Sequence, residues 1–179
     1  MDNLQINSQL ELRQIEQRDC SHFMKLIDKN RIYLREWLGW LDVTKTEDDL
    51  GKFINKTLSE IKDNKALCFL IWNQDQIAGI INLRDIDFMN KKAMIGYWVG
   101  QEFTGQGFAK KATKILIDHA FKKLSLNRIE IRCATGNTAS QAIPKSLSMK
   151  SEGILRDNEW LYDHFVDHIV FSAIASQWQ

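Results

Sequence analysis

Residues 96–109 read Gly96-Tyr-Trp-Val-Gly-Gln-Glu-Phe-Thr-Gly-Gln-Gly-Phe-Ala109. An apolar strand here runs into a glycine-rich bend, and the residues after the bend have helical periodicity. Gly105 and Gly107 can adopt backbone angles closed to other residues, so successive N–H groups can turn toward one anion at the positive end of the helix. The stretch predicts a pyrophosphate-binding loop, although a short Gly-x-Gly sequence alone is typical of ordinary turns.

A second motif lies further along the chain, where Asn137 and Ser140 are followed by Glu152 and Gly153. Together the two motifs resemble those of the GNAT superfamily of acetyl-coenzyme A-dependent N-acetyltransferases, and most closely its RimJ/RimL-type branch. The resemblance covers nearly the whole chain, from about Leu10 to the C-terminus.

The chain departs from the pattern of that branch at two places. The loop of the branch reads roughly Gln/Arg-x-x-Gly-x-Gly/Ala, and Thr104 stands at its long polar position. This removes one side-chain contact but leaves the backbone N–H groups. The second block of the branch contains Gly-Phe, which Ser148 and Met149 replace here, and this change weakens helix termination more than chemistry.

The resemblance implies that acetyl-coenzyme A is the cosubstrate and that no metal is needed. It also implies two splayed central strands, ending at Val99 and near Cys133, between which the pantetheine arm inserts beside the backbone of Trp98 and Val99. Unpaired backbone groups at such a gap are costly unless a ligand bonds to them. The expected cofactor-binding residues are Trp98, Val99, Thr104, Gly105, Gln106, Gly107, Phe108, Ala109, Asn137 and Ser140.

Two side chains are the candidates for catalysis. Glu159 follows Glu152-Gly153 at the spacing at which members of the branch carry a catalytic glutamate, so the resemblance implies a general base, against the alternative of a solvated turn carboxylate. Ser140 is implied to act as donor to the departing thiolate or to position the thioester, and a helix cap is its competing role. His164 and His168 are secondary candidates for the base.

The acceptor side rests on the segment from Arg35 to Asp42, which resembles the aromatic segment that the branch places over the acceptor groove. Trp37 and Trp40 are its expected substrate-binding residues, and core packing is the alternative for Trp37. An α-amine with a pKa near 8 costs only about 1 kcal/mol to deprotonate at pH 7, against roughly 4 to 5 kcal/mol for a lysine-like amine. We therefore predict the N-terminal α-amine of a protein, such as a ribosomal protein, as the acceptor.

Two alternatives stay open. A polyamine or aminoglycoside acceptor would be favoured if several carboxylates collected around a cationic ligand; the candidates are Asp85, Asp87, Asp157, Glu159, Asp163 and Asp167. A GNAT-like module that holds acyl-coenzyme A without transferring the group is the second alternative.

Composition fits a single domain over residues 1–179, because 179 residues with 44 % hydrophobic content suffice for one substantial core. A net charge of +1 gives no strong field for nucleic acid or a membrane. The N-terminus lacks a signal-peptide pattern, and three cysteines without metal-ligand spacing fit a reducing compartment, so we expect a cytoplasmic protein without a metal site. Oligomeric state is left open, with a homodimer as one option.

The periodicities predict an α/β fold with a mixed sheet of about seven strands and helices on both faces. Helical segments come first, from residue 18 and from Thr46, and an amphipathic helix follows the glycine loop. A short helix capped by Asn137 or Ser140 contains Pro144, which favours a start near Ser140 or a kink. Strands are predicted at residues 10–15, 66–72, 76–83, 93–99, 128–133, 149–156 and 165–175.

Overall fold

The computed structural model describes residues 3–178. Its strands are β1 (Leu4–Gln5), β2 (Leu10–Gln14), β3 (Leu67–Asn73), β4 (Gln76–Asp87), β5 (Lys92–Val99), β6 (Arg128–Ala134), β7 (Lys150–Leu161) and β8 (His164–Ile174). They form one sheet in the order β1-β2-β3-β4-β5-β6-β8-β7, in which β5 and β6 are parallel and the other neighbours antiparallel. The predicted mixed sheet is confirmed, and its additional strand is the two-residue β1, which is too short to show a periodicity.

Five α-helices complete the described part of the chain: α1 (Cys20–Lys29), α2 (Arg31–Arg35), α3 (Glu47–Lys62), α4 (Phe108–Lys122) and α5 (Thr138–Ser146). The start of α3 follows from its sequence, because the Thr46 hydroxyl accepts a hydrogen bond from the Asp49 N–H and the Asp49 carboxylate accepts one from the Thr46 N–H. None of the helices within residues 3–178 is long and apolar enough to cross a membrane.

The two faces of the sheet carry separate cores because successive side chains of a strand point to opposite faces. In β3, Phe69 and Ile71 pack in the core that contains Leu116 of α4. Leu70, between them, packs in the other core, which contains Ile27 of α1. The predicted placement of helices on both faces is therefore confirmed.

The two central parallel strands separate partway along their length. Pairing of β5 with β6 runs from Lys92–Arg128 to Ile95–Ile131. Beyond Ile95, β5 continues beside β4 only, and β6 continues beside β8. The structure thus has the predicted splay, and its open side lies along the last residues of β5.

The register of β5 decides which backbone groups face this gap. The Gly100 N–H donates to the Ala78 carbonyl at 2.9 Å, and backbone groups alternate in direction along a strand. The Trp98 backbone consequently faces β4, and its carbonyl would collide with a Cβ atom on Gly79. Tyr97 and Val99 present their backbone groups to the gap, so Tyr97 takes the position that we predicted for Trp98.

Helix α5 begins earlier than a start near Ser140. The Asn137 side-chain oxygen accepts from the Ser140 N–H at 2.9 Å, which makes Asn137 the cap and Thr138 the first helical residue. Pro144 consequently lies inside the helix and not in its first turn. The prediction of a start near Ser140 is wrong because Asn137 caps the helix and the Tyr97 hydroxyl satisfies the Ser140 carbonyl that Pro144 cannot bond.

Candidate active site

A cavity of about 1150 Å³ opens beside the splayed strands and contacts both predicted catalytic residues. Its wall draws on strands β3 to β8, on α1 and α3, on the start of α5 and on the segment between α2 and α3. The sequence-predicted residues that it brings together are Trp37, Trp40, Trp98, Asn137, Ser140 and Glu159. Val99 and the loop residues Thr104 to Ala109 are not part of this wall; they continue from the end of β5.

The glycine loop has the backbone conformation that its sequence predicts. Gly105 and Gly107 both have φ of 74°, and nothing lies within 4 Å of the Cβ atom that either residue lacks. Thr104 donates its hydroxyl to the Gln101 carbonyl at 2.7 Å, and Gln106 donates its amide to the Glu102 carbonyl at 2.9 Å. These side chains fix the loop to the preceding 3-10 turn, Gln101–Phe103. The loop can therefore offer its backbone N–H groups to an anion at the start of α4.

Ser140 lies between two other polar side chains at the gap. Its hydroxyl oxygen is 3.3 Å from the Cys133 sulfur and 3.5 Å from the Tyr97 hydroxyl oxygen. Burial raises the pKa of Cys133 and that of Tyr97, so both groups keep their protons at neutral pH. A thiol in this state is a weak nucleophile, which disfavours a covalent route through Cys133.

Glu159 is anchored by a histidine that sequence reasoning named only as a secondary candidate. The His168 Nε2 atom lies 3.2 Å from the Glu159 carboxylate, and His168 is 12 % exposed against 44 % for Glu159. The other ring nitrogen of His168 is 2.7 Å from the Asn158 amide nitrogen. Each ring nitrogen of His168 therefore has one polar neighbour, the Glu159 carboxylate on one side and the Asn158 amide on the other.

A break in strand register brings these three residues together. The pairing of β7 with β8 shifts between Leu155 and Glu159, so His168 pairs with Leu155 while Val166 pairs with Glu159. The sequence around Asn158 and His168 does not predict that they meet, because a register shift depends on the partner strand.

The aromatic segment between α2 and α3 forms the opposite side of the cavity. The Trp40 ring centroid is 6.3 Å from that of Trp98, which stacks on Phe23 at 5.5 Å. The Trp37 ring lies against Gly136, where a Cβ atom would be only 2.9 Å from it. Both predicted tryptophans border the cavity, and the glycine at position 136 leaves room for the Trp37 ring.

The same segment is tied to the β7–β8 turn. The Tyr162 hydroxyl donates to the Leu38 carbonyl at 2.8 Å. The Arg35 guanidinium lies 3.9 Å from the centre of the Tyr162 ring and is also paired with Asp42. These contacts fix the position of the tryptophans relative to the strands that carry Glu159 and His168.

Known acetyltransferases are similar to this chain over most of its length. The acetyltransferase (GNAT) domain model matches residues 9–150. The ribosomal-protein-serine acetyltransferase of Escherichia coli (strain K12) is 28 % identical over 173 residues, which cover 97 % of each chain. A spermidine N(1)-acetyltransferase of Vibrio cholerae is 25 % identical over 163 residues, which cover 90 % of this chain and 91 % of that relative.

The structure resembles a solved protein that holds the coenzyme. RimL, a ribosomal-protein α-N-acetyltransferase, was solved in complex with coenzyme A joined through a disulfide to a cysteine of that protein. The two structures superpose with a TM-score of 0.93 at 25 % sequence identity, over 97 % of this chain and 98 % of RimL.

Proposed function

The chain belongs to the GNAT acetyltransferase family, and on that premise we propose that it acetylates the N-terminal α-amine of a protein, such as a ribosomal protein. The family match and the relatives confirm the predicted class, an N-acetyltransferase of the RimJ/RimL type with acetyl-coenzyme A as cosubstrate. The observation that carries the finer proposal is that Glu159 and Ser140 border one cavity, with Glu159 half exposed toward the space that an acceptor needs.

In the proposed reaction Glu159 accepts a proton from the attacking amine, whose nitrogen forms a bond to the acetyl carbon. Ser140 donates its hydroxyl hydrogen bond to the sulfur as the carbon–sulfur bond breaks. Burial keeps Tyr97 and Cys133 protonated, so the two groups beside the Ser140 hydroxyl are uncharged. The backbone groups of Tyr97 and Val99 are the proposed partners of the pantetheine amides, and the loop from Gly105 to Ala109 is the proposed pyrophosphate site.

The shape of the cavity supports a peptide acceptor. It follows β5 from Trp98 to Met94, a distance of about 13 Å at 3.3 Å per residue, which suits an extended peptide. The α-amine is also the amine that is easiest to deprotonate at neutral pH. The E. coli relative is named for a ribosomal-protein serine, and RimL for the α-amine of a ribosomal protein.

A polyamine acceptor has less support from the wall of the cavity. Of the six candidate carboxylates, only Asp85 and Glu159 border it, and Glu60 is the third carboxylate in its wall. Asp87 bonds Asn90, and Asp163 bonds His164. Four basic side chains share the wall, namely Lys56, Lys65, Arg84 and Arg132, so the site has no excess of negative charge for spermidine, although one relative is a spermidine acetyltransferase.

An acceptor screen tests the proposal. With acetyl-coenzyme A fixed, thiol release is measured for peptides with a free N-terminus, for the same peptides with a blocked N-terminus and an internal lysine, and for spermidine and an aminoglycoside. We expect turnover with the free N-termini and mass-spectrometric acetylation of the α-amine. Preferential turnover of spermidine or the aminoglycoside would move the assignment to that acceptor. Coenzyme binding without turnover of any acceptor would favour the non-catalytic module.

A further inference from the structure

Pro144 lies four residues after Ser140 in α5, where it changes the hydrogen bonding of the Ser140 backbone. In an α-helix the carbonyl of residue i accepts from the N–H of residue i+4. Proline has no N–H, and its ring also pushes against the carbonyl of the residue four positions earlier. The Ser140 carbonyl therefore has no helical donor and must find another partner.

Tyr97 supplies that partner from the splayed end of β5. Its hydroxyl donates to the Ser140 carbonyl at 2.9 Å, and the same oxygen lies 3.5 Å from the Ser140 hydroxyl. The two residues are 43 positions apart in the sequence, so the contact fastens the first turn of α5 directly to the strand that borders the gap.

We propose that Tyr97 is a positioning residue for Ser140 and that Pro144 makes this possible by leaving the Ser140 carbonyl free. The inference rests on the proposed role of Ser140 in acetyl transfer. Tyr97 fixes the backbone of the residue whose hydroxyl must meet the sulfur, and the Cys133 contact at 3.3 Å supports that hydroxyl from a third side. Tyr97 does not itself take part in the reaction.

The competing explanation is that Tyr97 is only a buried core side chain. Tyr97 does pack against the core that contains α4. A packing role, however, resides in the ring, which phenylalanine keeps. If Tyr97 only packs, the effect of Tyr97→Phe on unfolding should be the same whether residue 144 is proline or alanine.

A mutant cycle on the full chain separates these explanations. Wild type, Tyr97→Phe, Pro144→Ala and the double variant are compared by denaturant unfolding. The Pro144→Ala substitution restores an N–H that can bond the Ser140 carbonyl, so the effect of Tyr97→Phe on the unfolding equilibrium should be at least roughly five-fold smaller in the Pro144→Ala background. An equal effect in both backgrounds would overturn the proposal.

Kinetics then test whether the contact acts through Ser140. With the acceptor found in the screen, Tyr97→Phe should lower kcat by about ten-fold and leave the calorimetric affinity for acetyl-coenzyme A unchanged, which removal of one fixed contact can produce. In a Ser140→Ala background the same change should have little further effect on kcat. Independent, multiplicative losses would contradict positioning through Ser140.

Failure of the proposed function has a different signature. If Ser140→Ala retains full turnover, Ser140 has no chemical role, and the coupling between Tyr97 and Pro144 in unfolding would still be measured. If Tyr97→Phe does not fold, the double variant carries the test, because the N–H restored by Pro144→Ala can bond the Ser140 carbonyl and should restore folding. A double variant that stays unfolded while Pro144→Ala folds would then overturn the inference.

Discussion

The His168 Nε2 atom lies 3.2 Å from the Glu159 carboxylate, and the other ring nitrogen lies 2.7 Å from the Asn158 amide nitrogen. The histidine is almost buried, whereas the carboxylate remains accessible from the cavity. A buried ring held at both nitrogens has little rotational freedom. It can therefore keep a flexible glutamate pointing toward the acceptor.

We expect His168→Phe to lower kcat by roughly ten-fold and to leave acetyl-coenzyme A affinity unchanged, because Glu159 loses the donor that orients it. His168→Gln, whose amide is also a donor, should recover part of the loss. Steady-state kinetics of both variants in wild-type and Glu159→Gln backgrounds provide the check. A His168→Phe loss that persists in full in the Glu159→Gln background would show that His168 acts independently of Glu159.

Glu159→Gln should keep coenzyme affinity and lose turnover at neutral pH, because the amide preserves shape and cannot accept the proton of the amine. Base catalysis is typically worth about a hundred-fold to ten-thousand-fold. As pH rises toward the pKa of an α-amine, near 8, more acceptor is already neutral and the deficit should shrink. The pH dependence of kcat/KM measures this, and wild-type turnover of Glu159→Gln at pH 7 would exclude Glu159 as the base.

We expect substitution of Asn137 to affect mainly stability and substitution of Ser140 to affect mainly turnover. Asn137→Ala removes the cap of α5 and should lower the free energy of unfolding by about 1 kcal/mol. Ser140→Ala keeps that cap, since Asn137 bonds the Ser140 backbone N–H, and should lose turnover with a smaller change in stability. Thermal unfolding and thiol-release assays on both variants distinguish the roles. Full activity of Ser140→Ala would exclude Ser140 as the hydrogen-bond donor to the thiolate.

Gly107→Val should weaken acetyl-coenzyme A binding by roughly ten-fold to a hundred-fold, the effect of one or two lost charge-assisted hydrogen bonds. The side chain meets open space, so the effect arises from the left-handed φ of 74° and the loss of close approach. Gly153→Ala is the matched control, because Gly153 also has a positive φ with open space around it but lies in β7. Equal calorimetric affinity of Gly107→Val and wild type would remove the loop from the site.

Stability should depend on pH through Glu152. Two hydrogen bonds from Arg128, at 2.8 and 2.5 Å, and one from Ser172 lower the pKa of Glu152 to about 2. Because the pKa is lower in the folded state, Glu152 stabilises the fold at pH values above its pKa in the unfolded chain, near 4.3. This stabilisation is lost as pH falls toward 2. Glu152→Gln should therefore lower the free energy of unfolding by about 1 kcal/mol at pH 7 and by less at pH 3. The value is small because solvent screens this partly exposed ion pair. A constant deficit in urea unfolding between these pH values would contradict this assignment.

The sequence by itself determined the features that depend on neighbouring residues. Thr46 and Asp49 define the start of α3 through contacts three residues apart, and Gly105 and Gly107 adopt the left-handed backbone that only glycine enters without cost. The unbroken apolar run from Ala66 to Trp72 likewise indicated a buried strand. Steric limits and periodicity act over a few residues, so the features that they decide can be predicted from the sequence.

Only the tertiary structure decided how distant side chains meet. The register shift in β7 brings His168 to Glu159, and the splay of β5 from β6 leaves Tyr97 facing the gap where its hydroxyl reaches Ser140, 43 residues away. Pro144 was visible in the sequence as an interruption of a helix, but its consequence depended on which donor lay beside the freed carbonyl. Such contacts are set by strand pairing and by the packing of α5 against the sheet. The residues next to a free carbonyl or an exposed carboxylate in the sequence do not indicate which distant group will contact it.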